Sequence, residues 1–89
     1  MKNQVLTLPL QNERLESIKV VLEPLSEYFI IKPGQHVEVH AIFDGDTSHL
    51  SFTVAPNDSF LTIYAPGEIA GFVDCYMTCN GVRLQPDGN

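Results

Sequence analysis

His36-Val37-Glu38-Val39-His40-Ala41-Ile42-Phe43 is the stretch on which the fold turns. Val37, Val39, Ala41 and Phe43 occupy every second position, with His36, Glu38 and His40 between them. Successive side chains of a strand point to opposite faces, whereas a helix brings together residues three and four apart. The stretch therefore reads as a strand with one buried and one polar face. Leu50, Phe52 and Val54 repeat the alternation against His49, Ser51 and Thr53, and Ile18, Val20 and Leu22 form a similar set. Tyr28-Phe29-Ile30-Ile31 is apolar on both faces, as in a central strand.

The punctuation between these runs agrees. Pro33-Gly34 and Pro66-Gly67 each fit a type II turn, in which Pro sets one φ and Gly supplies the positive φ that follows. Asp44-Gly45 and Asn80-Gly81 are hairpin signals, Glu23-Pro24 breaks the first apolar run, and Pro56-Asn57-Asp58-Ser59 is a polar turn. Short apolar runs separated by such signals predict one domain over residues 1–89: all-β, a small antiparallel β-sandwich of about seven strands. Leu10 to Ser17 is the one candidate helical turn, with Asn12 as its cap.

Face matching predicts two registers. Phe43 opposite Ser48 sets Ala41 against Leu50, Val39 against Phe52 and Val37 against Val54, across a loop from Asp44 to Thr47. An Asn80-Gly81 turn pairs Cys79 with Val82, Thr78 with Arg83 and Met77 with Leu84. Val73, Cys75, Met77 and Cys79 then share a face with Val82 and Leu84.

Composition bounds what such a domain does. Of 89 residues 44% are apolar and 18% charged, which suits a folded chain rather than a disordered one. The net charge is −6, and the basic residues Lys2, Arg14, Lys19, Lys32 and Arg83 are scattered. Nucleic-acid binding draws on neutralised phosphates and anionic membranes attract basic clusters, so neither partner is expected. The segment Met1 to Pro9 has no continuous apolar core of a signal peptide, and no run is long enough for a membrane helix. The expectation is a cytoplasmic protein with reduced thiols.

Three motifs invite chemistry. Cys75-Tyr76-Met77-Thr78-Cys79 is a C-x3-C similar to the cysteine loop of dinuclear copper centres, but Asn80-Gly81-Val82-Arg83 follows where that loop carries a histidine. Strand residues four apart are separated by about 13 Å, too far for a disulfide. Both cysteines are expected as buried, reduced thiols beside a gap-filling Met77. His36, His40 and His49 fall on the polar faces of the predicted strands, and His40 and His49 with Glu38 form the one set able to hold zinc or copper. The expectation is solvated histidines without a metal. Asp44, Asp46 and Ser48 copy the start of a calcium loop, but His49 and Ala55 replace its essential Gly and Glu. No nucleophile elbow, Walker sequence or dinucleotide-binding glycine pattern is present. No catalytic residue, cofactor or metal site is assigned, and no enzyme is expected. Asn57-Asp58-Ser59 matches a glycosylation sequon and reads as a turn.

If Leu61, Ile63, Val73 and Cys75 face the core, alternation places Phe60, Tyr64, Phe72 and Tyr76 outside. Exposed aromatic sets mark interfaces. These four are the predicted contact surface for a protein partner or a weak homodimer. The competing reading folds Val5, Leu6, Leu8 and Leu10 over them.

Glu23-Pro24-Leu25-Ser26-Glu27-Tyr28-Phe29-Ile30-Ile31-Lys32-Pro33-Gly34 resembles an E-P-x-x-E-x-φ-x-[aliphatic]-x-P-G element of short, uncharacterised bacterial β-proteins. Those chains often carry Trp where this one has Leu25, and they tend to end in a strand, a turn and a G-x-x-L strand similar to Gly81-Val82-Arg83-Leu84. The resemblance runs from Val20 onward. It implies a small β-sandwich and brings no assigned activity and no site residues. The function expected is therefore that of a non-enzymatic interaction or accessory protein. The alternative is a small metal- or ligand-binding protein using the outer-face histidines.

Overall fold

The alternation of 36–43 becomes β4 (His36–Asp44), which buries Val37, Val39, Ala41 and Phe43 and turns the histidines outward. In the computed structural model, which describes residues 3–45, 50–65 and 72–88, β4 lies between two other strands. Its neighbours are β1 (Asn3–Gln11) and β7 (Phe72–Cys79), both antiparallel to it. β8 (Val82–Arg83) completes a front sheet of order β1-β4-β7-β8. The back sheet has the order β3-β2-β6-β5, from β2 (Ile18–Glu23), β3 (Glu27–Ile31), β5 (Thr53–Pro56) and β6 (Leu61–Tyr64). β2 and β6 run parallel, and every other pair is antiparallel. The two inner faces meet in one core of Val20, Leu22, Phe29, Ile31 and Ile63 from behind and the β4 residues, Cys75 and Met77 from in front. This is the expected β-sandwich, with eight strands among the described residues and the N-terminal segment supplying one.

Two turns form as their residues demand. Gln35 N–H donates to Lys32 O at 3.1 Å across Pro33-Gly34, and Gly34 takes φ 79°, a region that costs side-chain-bearing residues dearly. Asn80 and Gly81 both have positive φ, as a two-residue hairpin requires, and set Cys79 opposite Val82 and Thr78 opposite Arg83 as expected. Leu84 N–H then donates to Met77 O at 2.8 Å.

Four expectations are corrected. β4 does not pair with β5: the chain crosses to the other sheet, where Val54 lies opposite Ile63. Apolar faces in both sheets point into the same core, so matching faces did not identify neighbours. β3 is an edge strand, and Ile30 is exposed; its free edge is met by the C-terminal segment, with Tyr28 N–H on Gly88 O and Asp87 N–H on Tyr28 O, each 2.8 Å. Residues 12–17 form no helix, and Asn12 instead accepts Arg14 N–H at 2.9 Å in a local turn. Val73 does not face the core. The register slips between Ile42 and Phe43, so that Ile42 opposes Asp74 while Phe43 opposes Phe72. Val73 is the extra residue of a β-bulge and is 50% exposed. The other proposed partner of Phe43, Ser48, lies outside the described residues, as do Pro66 and Gly67.

Candidate functional site

The outer face of the front sheet carries a connected group of polar and aromatic side chains. Thr7 on β1 lies directly opposite His40 on β4, which lies opposite Tyr76 on β7. Both His40 ring nitrogens are engaged: Nδ1 with Thr7 Oγ1 at 3.0 Å and Nε2 with Thr78 Oγ1 at 2.9 Å. The imidazole stacks on the Tyr76 ring, centroids 5.0 Å apart at 27°. Arg83 reaches back from β8 to place its guanidinium 4.8 Å from the same ring, and its Nη1 lies 3.5 Å from Asp74 Oδ2. Cation–π contact and an ion pair together hold a side chain that is otherwise free to wander. Strand order alone produces this row: β4, β7 and β8 are consecutive, so one flat group from each lies beside the next. Val5 opposite Ile42 forms an apolar end to the same face.

The four aromatic residues expected to make one surface are divided by the fold. Tyr76 lies in the row just described. Phe72 is turned toward the core by the bulge and meets buried Phe43 edge-on, centroids 5.6 Å apart. Phe60 and Tyr64 belong to the back sheet side. Tyr64 is 44% exposed, and Phe60 lies 5.9 Å from Lys19 Nζ, which sits 4.4 Å above Tyr28. The competing cover is also overturned, because Val5, Leu6, Leu8 and Leu10 belong to β1 and lie beside β4 rather than over β7. The groups around His40 and Tyr76 were not read from the sequence. Thr7 was legible only if the N-terminal segment was read as a strand, and Arg83 only by carrying the predicted hairpin one side chain further.

His36 and His40 do not converge. His36 is exposed four residues from His40 on one strand, and His49 lies outside the described residues. A metal at His40 has to displace a threonine hydroxyl from a ring nitrogen. Among the described residues no group of three His, Cys, Asp or Glu is placed to share an ion. Asp46 and Ser48 of the calcium-loop pattern also lie outside the described residues.

The cysteines are free thiols with separate surroundings. Cys75 is buried in the core, and desolvation, helped by the charges of Asp74 and Glu27, pushes its thiol up to about 11. That is opposite to the shift that activates a nucleophilic cysteine. Cys79 is half-buried; its S–H donates to His36 O at 3.3 Å and it receives Gln35 Nε2–H at 3.6 Å.

Shallow clefts mark the described surface. One of about 470 Å³ lies beside the row, among Gln11, His36, Glu38, Thr78 and Asn80. Another, about 350 Å³, lies between the 14–18 segment and the Pro56–Leu61 turn, where Ser59 N–H donates to Asn57 Oδ1 at 2.9 Å. Among the described residues no helix is long and apolar enough to cross a membrane. Comparison with protein-family models, curated proteins and solved structures finds no match to the chain.

Proposed function

We propose that this chain is a non-enzymatic interaction domain that presents the outer face of its front sheet to a partner protein. The observation that carries the reading is Tyr76 held flat by His40 and Arg83. Tyr and Arg are the residue types that dominate binding energy at protein contacts. Side chains already ordered before binding lose less entropy when a partner arrives. The buried, raised thiol of Cys75 and the doubly bonded ring of His40 support the same reading, since neither offers a poised nucleophile or base.

The test begins with chemical cross-linking of the tagged chain in extract of its native host. The captured protein is then purified and titrated against variants. Tyr76→Ser and Arg83→Ala are each expected to weaken binding at least about tenfold, as loss of a central contact does. Leu15→Ser, at a fully exposed residue of the 12–17 segment, is expected to leave it unchanged. Binding indifferent to both front-face substitutions would sink the proposal.

A further inference from the structure

β1 differs from the other sheet edges. Its nine residues, Asn3-Gln4-Val5-Leu6-Thr7-Leu8-Pro9-Leu10-Gln11, include no charged side chain. The register against β4 is unbroken from Asn3 to Gln11, so no bulge bends it away. Natural sheets blunt their edges with charge, bulges, brevity, proline or a cover. Of these β1 has only Pro9, whereas the other three edges are blunted more fully. β3 is covered by Asp87 and Gly88, β5 has four residues ending in Pro56, and β8 has two, one of them Arg83.

The backbone of β1 also shows which groups are free. Asn12 N–H donates to Gln35 O at 3.1 Å on the β4 side. Antiparallel strands alternate, so Gln4, Leu6, Leu8 and Leu10 direct their backbone groups to β4. Val5, Thr7, Pro9 and Gln11 direct theirs away from the sheet. Pro9, which has no N–H, falls in the outward set, where it breaks no bond to β4 but offers a second copy only its carbonyl.

We infer that β1 pairs antiparallel with β1 of a second copy, joining two front sheets into one. The occupant follows from the strand's own chemistry. A partner strand chosen by charge needs a charged complement on β1, and there is none. Self-pairing sets no like charges opposite one another. The register that overlaps both strands fully places Thr7 opposite the partner's Thr7, and Val5 opposite the partner's Pro9. It also brings Leu6 against the partner's Leu8 on the inner face, where both are only partly buried in one chain. Val5, 53% exposed, gains cover on the outer face. This inference does not depend on the Tyr76 row, but it places two such rows on one continuous face.

An interface of one strand pair is small and holds weakly, with a dissociation constant on the order of 10–100 μM. Amide exchange read by NMR at roughly 10 and 500 μM tests it, because dimerisation protects only the outward groups. The Val5, Thr7 and Gln11 amides are expected to exchange roughly fivefold more slowly at the higher concentration, while Leu6, Leu8 and Leu10 change little. Sedimentation velocity is expected to show the same association. Thr7→Lys, which sets two lysines opposite each other, is expected to abolish it. Val82→Lys, an equal change of charge on the exposed β8 edge, is expected not to. Concentration-independent exchange at the outward amides overturns the inference, whether the chain stays monomeric or associates elsewhere. A dimer that Tyr76→Ser dissolves while those amides stay open assigns the contact to the front face instead. A monomer that still binds its partner through Tyr76 refutes this inference alone.

Discussion

Replacing Asn12 is expected to cost more stability than its place between two sheets suggests. The residue is 1% exposed, and every polar atom it has is used. Its Nδ2 donates to Glu16 O and to Ile31 O, both at 2.9 Å, and its Oδ1 accepts Arg14 N–H at 2.9 Å. Its backbone N–H donates to Gln35 O, and its carbonyl accepts Gly34 N–H at 2.8 Å. One residue thus ties the crossing from β1 to β2 together, its side chain to the end of β3 and its backbone to the turn before β4. Asn12→Ala removes a hydrogen bond to the buried Ile31 carbonyl and leaves a small void, together worth about 1–2 kcal/mol. The two part-buried groups can be rehydrated and add roughly 0.5–1 kcal/mol each. The sum is about 2–4 kcal/mol, a large part of the 5–15 kcal/mol typical of a domain. Urea unfolding followed by far-UV circular dichroism measures it, and the melting temperature is expected to fall by roughly 10–25 °C.

Asn12→Asp separates hydrogen bonding from shape. It keeps the acceptor for Arg14 N–H but turns a carboxylate oxygen toward the carbonyls of Glu16 and Ile31. Burial and those carbonyls raise the folded-state pKa above the unfolded value near 3.9. The folded state then binds more protons, so stability falls as pH rises from about 4 through the folded pKa. Asn12→Asp is expected to be less stable than Asn12→Ala at pH 7 and to recover part of the loss in acid. A loss below about 1 kcal/mol for Asn12→Ala, or a pH-independent Asn12→Asp, would refute the reasoning.

Two further outcomes are expected. Iodoacetamide at pH 8 is expected to modify Cys79 first and to reach Cys75 only after urea unfolding, since the Cys75 thiol is buried and raised to about 11; equal rates in the native protein contradict this. Phe72→Ala is expected to cost about 2–4 kcal/mol because the bulge turns Phe72 onto Phe43, while Tyr64→Ala costs under about 1 kcal/mol; reversed magnitudes in the same unfolding assay refute the bulge.

Period-two alternation was enough to read β4 and its buried face, because the backbone itself sends successive side chains to opposite sides. The two tight turns were equally local: Pro33-Gly34 and Asn80-Gly81 are among the few dipeptides that accept the required φ values. The hairpin register at Cys79 and Val82 followed from the turn alone. The sandwich class followed from many such local decisions pointing the same way. Tertiary structure decided which strands are neighbours. Val37, Val39 and Ala41 face the core whether β5 lies beside them or across from them, so burial could not separate a hairpin from a crossing. Edge or centre was undetermined for the same reason, since the apolar outer residues of Tyr28–Ile31 suit a central strand but sit at an edge covered by Asp87 and Gly88. The bulge at Val73 depends on fitting β7 to β4, and that one extra residue moved Phe72 from the predicted surface to the core. The row on the outer face is likewise a product of strand order: His40 is far in the chain from the Tyr76 and Arg83 hairpin, and only the sequence β4-β7-β8 across the sheet brings all three together.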